Sequence, residues 1–329
     1  VQQNVTVKGG SGDDTFVLYD AIQAGDSVSG GAGTDTLQFY NGSSIASVAS
    51  SIETANMKLD GYADGPAVGL GVAVPVASSV DFDFLPDVTG MVVRNISNDA
   101  AGATAINAAG GITTFTMYDM SAAQAAAISV QHATTFNNQI ENTVVEAAVK
   151  ANTGSDTLGV TIAEGTNVDP RFNFTIDTVV ANTGTSNTAA ASTFENITLT
   201  DADTESNSVE LQNFAQHTGT ITLTGGLAGT FLNLDVDTAG ADVYAALAGT
   251  QQGLYGLATD GSATDAATGT IWDPVGLATE VRLQAATIDA SNEVSNVIVR
   301  VSTNVNDVNG AQKITMGSGN DTVIFDYLN

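Results

Sequence analysis

Apolar and polar residues alternate in many short runs along this chain. Between Arg171 and Val180, for example, Phe172, Phe174 and Ile176 are separated by single polar residues. A period of two is typical of a β-strand with one buried face. Gly, Asn, Asp, Thr and Ser separate the runs, so the pattern predicts a protein built mainly of β-strands. Further runs of this kind are Thr220–Thr224, Phe231–Asp237, Thr279–Ala285 and Val294–Thr303.

Two segments favour helices instead. Ser121–Gln131 is rich in alanine, and Ala241–Ala258 has apolar residues at helical spacing that glycine interrupts. Alanine is the strongest helix former, so the sequence predicts a few short helices inserted between strands.

A second pattern places a glutamate directly after an apolar residue. It occurs at Ile52–Thr54, Ile140–Asn142 and Phe194–Asn196. Recurrence of one strand type predicts successive coils of a solenoid.

The clearest motif is a nine-residue pattern of glycine and aspartate, G-G-x-G-x-D-x-U-x, in which U is a large apolar residue. Complete copies begin at Gly9 and at Gly30 and place their aspartates at Asp14 and Asp35. A third copy, Met316–Ile324, has methionine in the first glycine position. This recurrence exceeds what chance gives at the glycine content of the chain. A degenerate fourth copy is Ala151–Gly159.

The chemistry of the motif indicates a calcium site. Glycine adopts left-handed turn conformations and lets backbone carbonyl oxygens approach a cation, and aspartate supplies a charged oxygen. Because Ca²⁺ takes about six to eight oxygen ligands, two such turns would have to stack around each ion. Asp14 and Asp35 are 21 residues apart, which places them on the same side of adjacent coils. Asp26 lies between them and would be an imperfect ligand in the opposite turn.

Charge and composition exclude several classes of function. The chain has 8 Lys and Arg against 36 Asp and Glu, a formal net charge of -28. Such a surface repels nucleic acid and anionic membranes and attracts cations. The chain has no cysteine, so disulfides and thiolate metal sites are excluded. The longest apolar stretch, Gly65–Val80, is interrupted by Gly and Pro, and we predict no membrane span.

The glycine and aspartate motifs resemble the RTX repeats, the calcium-binding nonapeptides of proteins that Gram-negative bacteria export by type I secretion. The resemblance implies a parallel β-roll that holds Ca²⁺ in its turns and folds in external calcium. Sparse motifs within Thr-, Ala- and Asn-rich sequence are most similar to RTX-type surface-layer proteins. That likeness implies an extracellular, self-assembling lattice on the cell surface, with outer-membrane lipopolysaccharide as a partner through another part of the protein.

On this resemblance the turn and ligand positions of the calcium sites can be assigned residue by residue. Asp13 would contribute mainly a backbone oxygen. The assigned residues are Gly10, Gly12, Asp13, Asp14, Asp26, Gly31, Gly33, Asp35, Gly317, Gly319, Asn320 and Asp321.

The predicted fold class is all-β: an elongated, right-handed parallel β-solenoid or β-roll with calcium-binding turns, β-sandwich-like parts and a few short helices. Residues 1–61 would be an RTX-type segment, 62–310 a Thr/Ala/Asn-rich solenoid segment and 311–329 the start of a further RTX-type segment. We expect a processed chain or a fragment, because it begins at Val1 without a signal-like segment. Asp321 would then find its stacking partner outside this chain.

The function expected from the sequence is structural rather than enzymatic. The metalloprotease, nucleophile-elbow, dinucleotide and phosphate-loop motifs are all absent from the sequence. An RTX adhesin domain and the non-catalytic part of a type I-secreted hydrolase are the alternatives. The acids Asp201, Asp203 and Glu205 favour a solvated strand face, with a second Ca²⁺ site as the alternative. Asp81 and Asp83 are interpreted in the same way.

Overall fold

A computed structural model gives the architecture of the chain. It describes residues 4–40, 43–59, 76–95, 113–132, 143–163, 172–177, 179–180, 192–204, 207–212, 219–236, 287–303 and 313–327.

The described residues form short strands with almost no helix. In chain order the strands are β1 (Thr6–Lys8), β2 (Thr15–Leu18), β3 (Ala21–Ile22), β4 (Ser27–Ser29), β5 (Thr36–Tyr40), β6 (Ser44–Ile45), β7 (Ala49–Ser50), β8 (Thr54–Leu59), β9 (Val76–Asp81), β10 (Gly90–Asn95), β11 (Thr113–Met120), β12 (Ile128–His132), β13 (Thr143–Val149), β14 (Thr157–Ala163), β15 (Phe172–Asp177), β16 (Val179–Val180), β17 (Ser192–Thr193), β18 (Asn196–Ala202), β19 (Asn207–Gln212), β20 (Thr220–Gly225), β21 (Phe231–Val236), β22 (Thr287–Glu293), β23 (Asn296–Thr303), β24 (Lys313–Thr315) and β25 (Thr322–Tyr327). The helical elements are α1 (Ala122–Ala125) and a 3-10 turn at Phe82–Phe84.

Two large parallel sheets dominate the structure. A ten-stranded sheet has the order β2-β5-β8-β10-β12-β14-β18-β20-β22-β24, and an eight-stranded sheet has the order β25-β23-β21-β19-β15-β13-β11-β9. Two smaller parallel sheets, β1-β4-β7 and β3-β6, lie in the N-terminal part. Among the described strands only β16 and β17 pair antiparallel. The all-β class predicted from the sequence is confirmed.

The chain alternates between the two large sheets. From β8 onward, apart from the β16–β17 hairpin, each strand of the ten-stranded sheet is followed by one of the eight-stranded sheet. Every new strand pairs with the preceding strand of its own sheet, as Thr36 does with Thr54, and Thr54 with Gly90. Strands from all three segments predicted from the sequence therefore share these sheets.

The core consists of the inward-facing residues of both sheets. In β5, Leu37 and Phe39 are buried, and in β20 the buried pair is Ile221 and Leu223. Each fully buried side chain of this size contributes about 1.5–3 kcal/mol. The predicted alternation is also confirmed in β21 and β23, where Leu232, Leu234, Val297 and Val299 are buried. The segment Phe172–Asp177 is a strand as predicted, and Thr279–Ala285 lies outside the described residues.

The helix predicted over Ser121–Gln131 is wrong beyond its first turn. Ser121 and Gln124 form a capping box around α1, which ends at Ala125. Ile128 and Val130 then alternate with polar residues, and both are buried in β12. The sheet therefore overrides the helix propensity of the alanines. The second predicted helix, Ala241–Ala258, lies outside the described residues. None of the helices in the described part of the chain has the length and apolar character to cross a membrane.

Candidate metal sites

The first two glycine and aspartate turns stack directly on one another. The turn Gly9–Asp14 joins β1 to β2, and the turn Gly30–Asp35 joins β4 to β5. Parallel pairing of β1 with β4 and of β2 with β5 fixes their register. Between the turns, the Ala32 N–H donates to the carbonyl of Gly10 at 3.0 Å. The stacking predicted from the spacing of these copies is confirmed.

Carboxylates bind the backbone within and between these turns. Asp35 Oδ1 accepts from the backbone N–H of Asp14 at 2.8 Å, and Asp14 Oδ2 accepts from the N–H of Gly10 at 2.7 Å. Asp13 Oδ1 accepts from the N–H of Thr34 at 2.7 Å, so its side chain takes part as well as its backbone. A carboxylate oxygen with one such bond keeps lone pairs for a further partner.

Close approach of the stacked turns explains two of the glycines. A Cβ at Gly9 would lie 2.0 Å from the carbonyl oxygen of Gly30. A Cβ at Gly30 would lie 1.9 Å from the Ser51 carbonyl and 2.2 Å from Asp35 Oδ2. No real Cβ tolerates such distances, so the glycines leave the space that carbonyl and carboxylate oxygens fill.

Two further glycines adopt backbone angles that other residues avoid. Gly31 and Gly33 have φ of 115° and 134°. Their hypothetical Cβ atoms would also approach the carbonyls of Gly10 and Gly12, at 2.2 and 2.6 Å. Glycine is required at both positions for its conformation and for the close packing of the turns.

Asp35 has the features of an incomplete ligand. Its side chain is 0% exposed, and its Oδ2 atom has no hydrogen-bond partner among the described residues. A buried carboxylate oxygen without a partner is costly, and a cation would compensate it. The orphaned oxygen fits the calcium site that the motif predicts.

Two glutamates accept backbone hydrogen bonds in the same way as the aspartates of the stacked turns. Glu53 Oε2 accepts from the Asp35 N–H at 2.7 Å, while the Glu53 N–H donates to the Asp35 carbonyl at 3.1 Å. Glu195 repeats both contacts with Asp156, at 2.8 and 3.1 Å. The degenerate fourth motif and two of the apolar-glutamate patterns are therefore parts of one recurring turn. The third pattern, Ile140–Asn142, lies outside the described residues.

Asp26 lies apart from these carboxylates, at the opposite end of β4. Its Oδ1 accepts from the N–H of Val5 at 2.8 Å and its Oδ2 from the N–H of Gln23 at 2.9 Å. These backbone hydrogen bonds lower the pKa of Asp26. The structure therefore does not bring Asp26 together with Asp14 and Asp35.

The third glycine and aspartate turn lies at the C-terminal ends of the strands of the ten-stranded sheet, whereas the first two turns lie at their N-terminal ends. It follows β24 and leads into β25. Asp321 Oδ1 accepts from the Val297 N–H at 2.9 Å, and the Asn320 N–H donates to Asn296 Oδ1 at 2.7 Å. A Cβ at Gly319 would lie 2.2 Å from the Ser295 carbonyl. Gly317 likewise packs closely against the Glu293 carbonyl.

This placement corrects one expectation from the sequence. Asp321 was expected to stack on a turn outside this chain, but one stacking partner is the stretch from Glu293, at the end of β22, to Val297, at the start of β23. That segment contains no glycine motif. Parallel strand register alone brings the two turns together, so the sequence of the turn does not reveal its neighbour.

A cluster of three aspartates forms beside the eight-stranded sheet. The carboxylates of Asp81, Asp83 and Asp119 offer ligand atoms within 4.8 Å of one another, so this cluster could hold a metal ion. Asp119 is buried and has φ of 53°, and it lies where the register of β11 shifts between Met117 and Met120. This bulge turns Asp119 toward the cluster, and the sequence gives no sign of it.

A lysine partly neutralises the cluster. Lys150 Nζ lies 2.7 Å from Asp83 Oδ1, and the hydrogen bond to Asp83 raises the pKa of Lys150. Asp81 and Asp83 were interpreted as a solvated strand face. The structure shows them half-buried, because β9 ends at Asp81 and a 3-10 turn follows.

The solvated-face interpretation is also wrong for Asp201. This residue is buried, and its Oδ1 accepts from the Asp203 N–H and from Asn207 Nδ2, at 3.2 and 2.9 Å. Glu205, the third acid of that stretch, lies outside the described residues.

No family model, curated protein or solved structure matches this chain.

Proposed function

We propose that this protein is an extracellular structural protein: a Ca²⁺-binding parallel β-solenoid of the RTX type that self-associates into a bacterial surface layer or a related array. Its place would be the surface of a Gram-negative cell after type I secretion. Attachment to outer-membrane lipopolysaccharide would use another part of the protein.

The strand topology supports the solenoid. Strands of the two large sheets alternate along the chain, and each sheet grows by one neighbouring strand per coil. In-register pairing stacks residues of equal position, such as Leu37 on Ala55 and Ala55 on Met91, into continuous buried rows. In a chain wound in this way, equivalent turns of successive coils stack on one another. Residues that recur once per coil therefore form continuous rows along the solenoid.

One observation carries the calcium proposal: Asp35 Oδ2 is buried and unpartnered where two glycine and aspartate turns stack. Carboxylate and carbonyl oxygens are the ligands that Ca²⁺ prefers. The net charge of -28 adds a second argument, since bound cations reduce the repulsion within a folded acidic chain. Calcium held by Asp14 and Asp35 would couple folding to the external ion concentration.

Exposed apolar side chains beside β2 support self-association. Val17 and Tyr19, in or next to β2, are 46% and 76% exposed. Exposed apolar side chains that lie close together favour contact with another protein surface, and a contact that repeats head to tail propagates into filaments or sheets.

Imaging of the purified protein tests this proposal. Electron microscopy with Ca²⁺ should show ordered sheets or filaments that dissolve when a chelator is added. A monomer that stays dispersed in Ca²⁺ and instead binds glycans or cells would contradict the array and favour the adhesin alternative.

A further inference from the structure

Two buried acids lie at the C-terminal ends of strands β18 and β22 of the ten-stranded sheet, whereas Asp14 and Asp35 lie at the N-terminal ends of their strands. Asp201 is in the last part of β18 and Glu293 is the last residue of β22. Their side chains are 2% and 1% exposed. Charged residues are almost never this buried unless they are paired or bind a ligand.

Glycine separates the two acids. Strand β20 lies between β18 and β22, and Gly225 is the Cα partner of Asp201 on one side and of Glu293 on the other. Gly225 has φ of 103°, and a Cβ there would lie 2.1 Å from the Asp201 carbonyl oxygen. A Cβ at Gly226 would lie 1.9 Å from Glu293 Oε1. The strand between the acids therefore places no side chain between them.

Each acid has one oxygen fixed by hydrogen bonds and one without a partner. Glu293 Oε1 accepts from the N–H of Ser295 at 3.3 Å and from its Oγ at 2.7 Å, and Asp201 Oδ1 accepts from Asp203 and Asn207. Asp201 Oδ2 and Glu293 Oε2 are buried and accept no hydrogen bond from any described residue. Two orphaned acidic oxygens in one region point to a ligand that carries positive charge.

The chain itself supplies no compensating cation in its described part. Neither carboxylate has a lysine or arginine within ion-pair distance there. Burial, together with the charges of Glu293 and Asp203, raises the pKa of Asp201 to about 7. The site therefore either keeps a proton or binds a cation in its place.

We propose that Asp201 and Glu293 bind a single hard divalent cation of the Ca²⁺ class, at a site that is separate from the glycine and aspartate turns. The available metal ligands are the oxygens of the two carboxylates, with the side-chain amide of Asn207 beside Asp201. Oxygen ligands of this kind select Ca²⁺ over softer metals. The site also touches the third turn, because the Ser318 N–H donates to the Glu293 carbonyl at 3.2 Å. A cation there would strengthen the stack that holds Asp321.

The test is a calcium count on the whole chain with paired variants. Asp201→Asn combined with Glu293→Gln keeps the shapes of both side chains and removes their charges. This variant should bind one Ca²⁺ fewer than the wild type, and its melting temperature should rise less when Ca²⁺ is added. In chelator it should melt no lower than the wild type, because the buried repulsion is gone. An unchanged calcium count would overturn the proposal and leave a shared proton as the explanation.

A matched variant separates this site from the proposed turn sites. Asp14→Asn combined with Asp35→Asn changes the same number of charges at the N-terminal ends of the strands, and it should leave the cation at Asp201 and Glu293 in place. Diffraction from wild-type crystals grown in Ca²⁺ gives a second, variant-free measurement. An anomalous peak between Asp201 and Glu293 supports the proposal, and peaks confined to the glycine turns contradict it.

Discussion

Glu195 Oε2 accepts a hydrogen bond from the backbone N–H of Asp156 at 2.8 Å, across two neighbouring strands of the ten-stranded sheet. Glu53 makes the equivalent bond with Asp35 at 2.7 Å. The same glutamate–backbone hydrogen bond therefore joins neighbouring strands after a complete glycine motif, at Asp35, and after a degenerate one, at Asp156. These carboxylate–backbone hydrogen bonds are therefore structural in their own right, and calcium would bind at only some of them, beside Asp14 and Asp35.

Removing the acceptor at Glu195 should destabilise the fold. Glu195→Ala leaves the partly buried Asp156 N–H without its partner, which costs about 1–3 kcal/mol of unfolding free energy. Glu195→Gln keeps an amide oxygen in place and should cost less. Urea unfolding of both variants measures the difference. Equal stability of the two variants would show that the bond contributes nothing.

The glycines of the motif should differ sharply in tolerance. Gly30→Ala forces a Cβ to within 1.9 Å of the Ser51 carbonyl, so it should lower the unfolding free energy by about 1–3 kcal/mol. Gly12→Ala meets no atom within 4 Å and should change it by less than about 0.5 kcal/mol. Thermal melts of both variants in chelator provide the comparison. A Gly30→Ala protein as stable as Gly12→Ala would mean that the turns do not stack this closely.

Much of the fold was predictable because burial and polarity follow the strand period. Leu37 and Phe39, or Ile221 and Leu223, alternate with polar residues, and the sheets bury the apolar set. The end of the helix at Ala125 was missed because the alanines outweighed the alternation of Ile128 and Val130. Helix propensity is a weak prior, and a neighbouring strand on each side overrides it.

In chelator, stability should depend on the protonation of Asp201. Its pKa is about 7 in the folded protein and about 3.9 in an unfolded chain, so the folded state binds the proton more tightly. This stabilisation is fully present below about pH 4 and is lost as the pH rises through about 7, which lowers the unfolding free energy by up to about 4 kcal/mol. Asp201→Asn should remove this part of the pH dependence. Identical pH profiles for the two proteins, measured by denaturant unfolding, would refute the shift.

The melting temperature of the protein should depend more strongly on divalent cations when Lys150, beside the aspartate cluster, is replaced. Lys150→Met leaves Asp81, Asp83 and Asp119 without the ammonium group that lies 2.7 Å from Asp83. We expect a lower melting temperature in chelator and a larger rise on addition of Ca²⁺ than in the wild type. Lys313→Met removes the same charge from an exposed position and is the control. A rise no larger than in the control would argue against a metal at this cluster.

The candidate sites were predictable only where one short motif contains them. Asp14 and Asp35 share a pattern whose 21-residue spacing matches the step from β2 to its paired strand β5, so their stacking follows from the sequence. Asp201 and Glu293 lie on either side of Gly225 in the register of three strands, and no local sequence pattern indicates that. The position of Asp321 depends on which sheet its strand joins. Its turn has almost the same sequence as Gly10–Thr15, but the following strand β25 belongs to the eight-stranded sheet and β2 to the ten-stranded one.

The claim that the stacked glycine and aspartate turns bind Ca²⁺ is tested most directly by comparing the wild type with Asp14→Ala combined with Asp35→Ala. Both proteins are dialysed against Ca²⁺, their calcium content is measured, and their melting temperatures are then determined. We predict that the variant binds less calcium, loses stabilisation by the ion, and no longer forms calcium-dependent assemblies. Unchanged calcium stoichiometry together with unchanged thermal stability would show that the stacked glycine and aspartate turns are only turns.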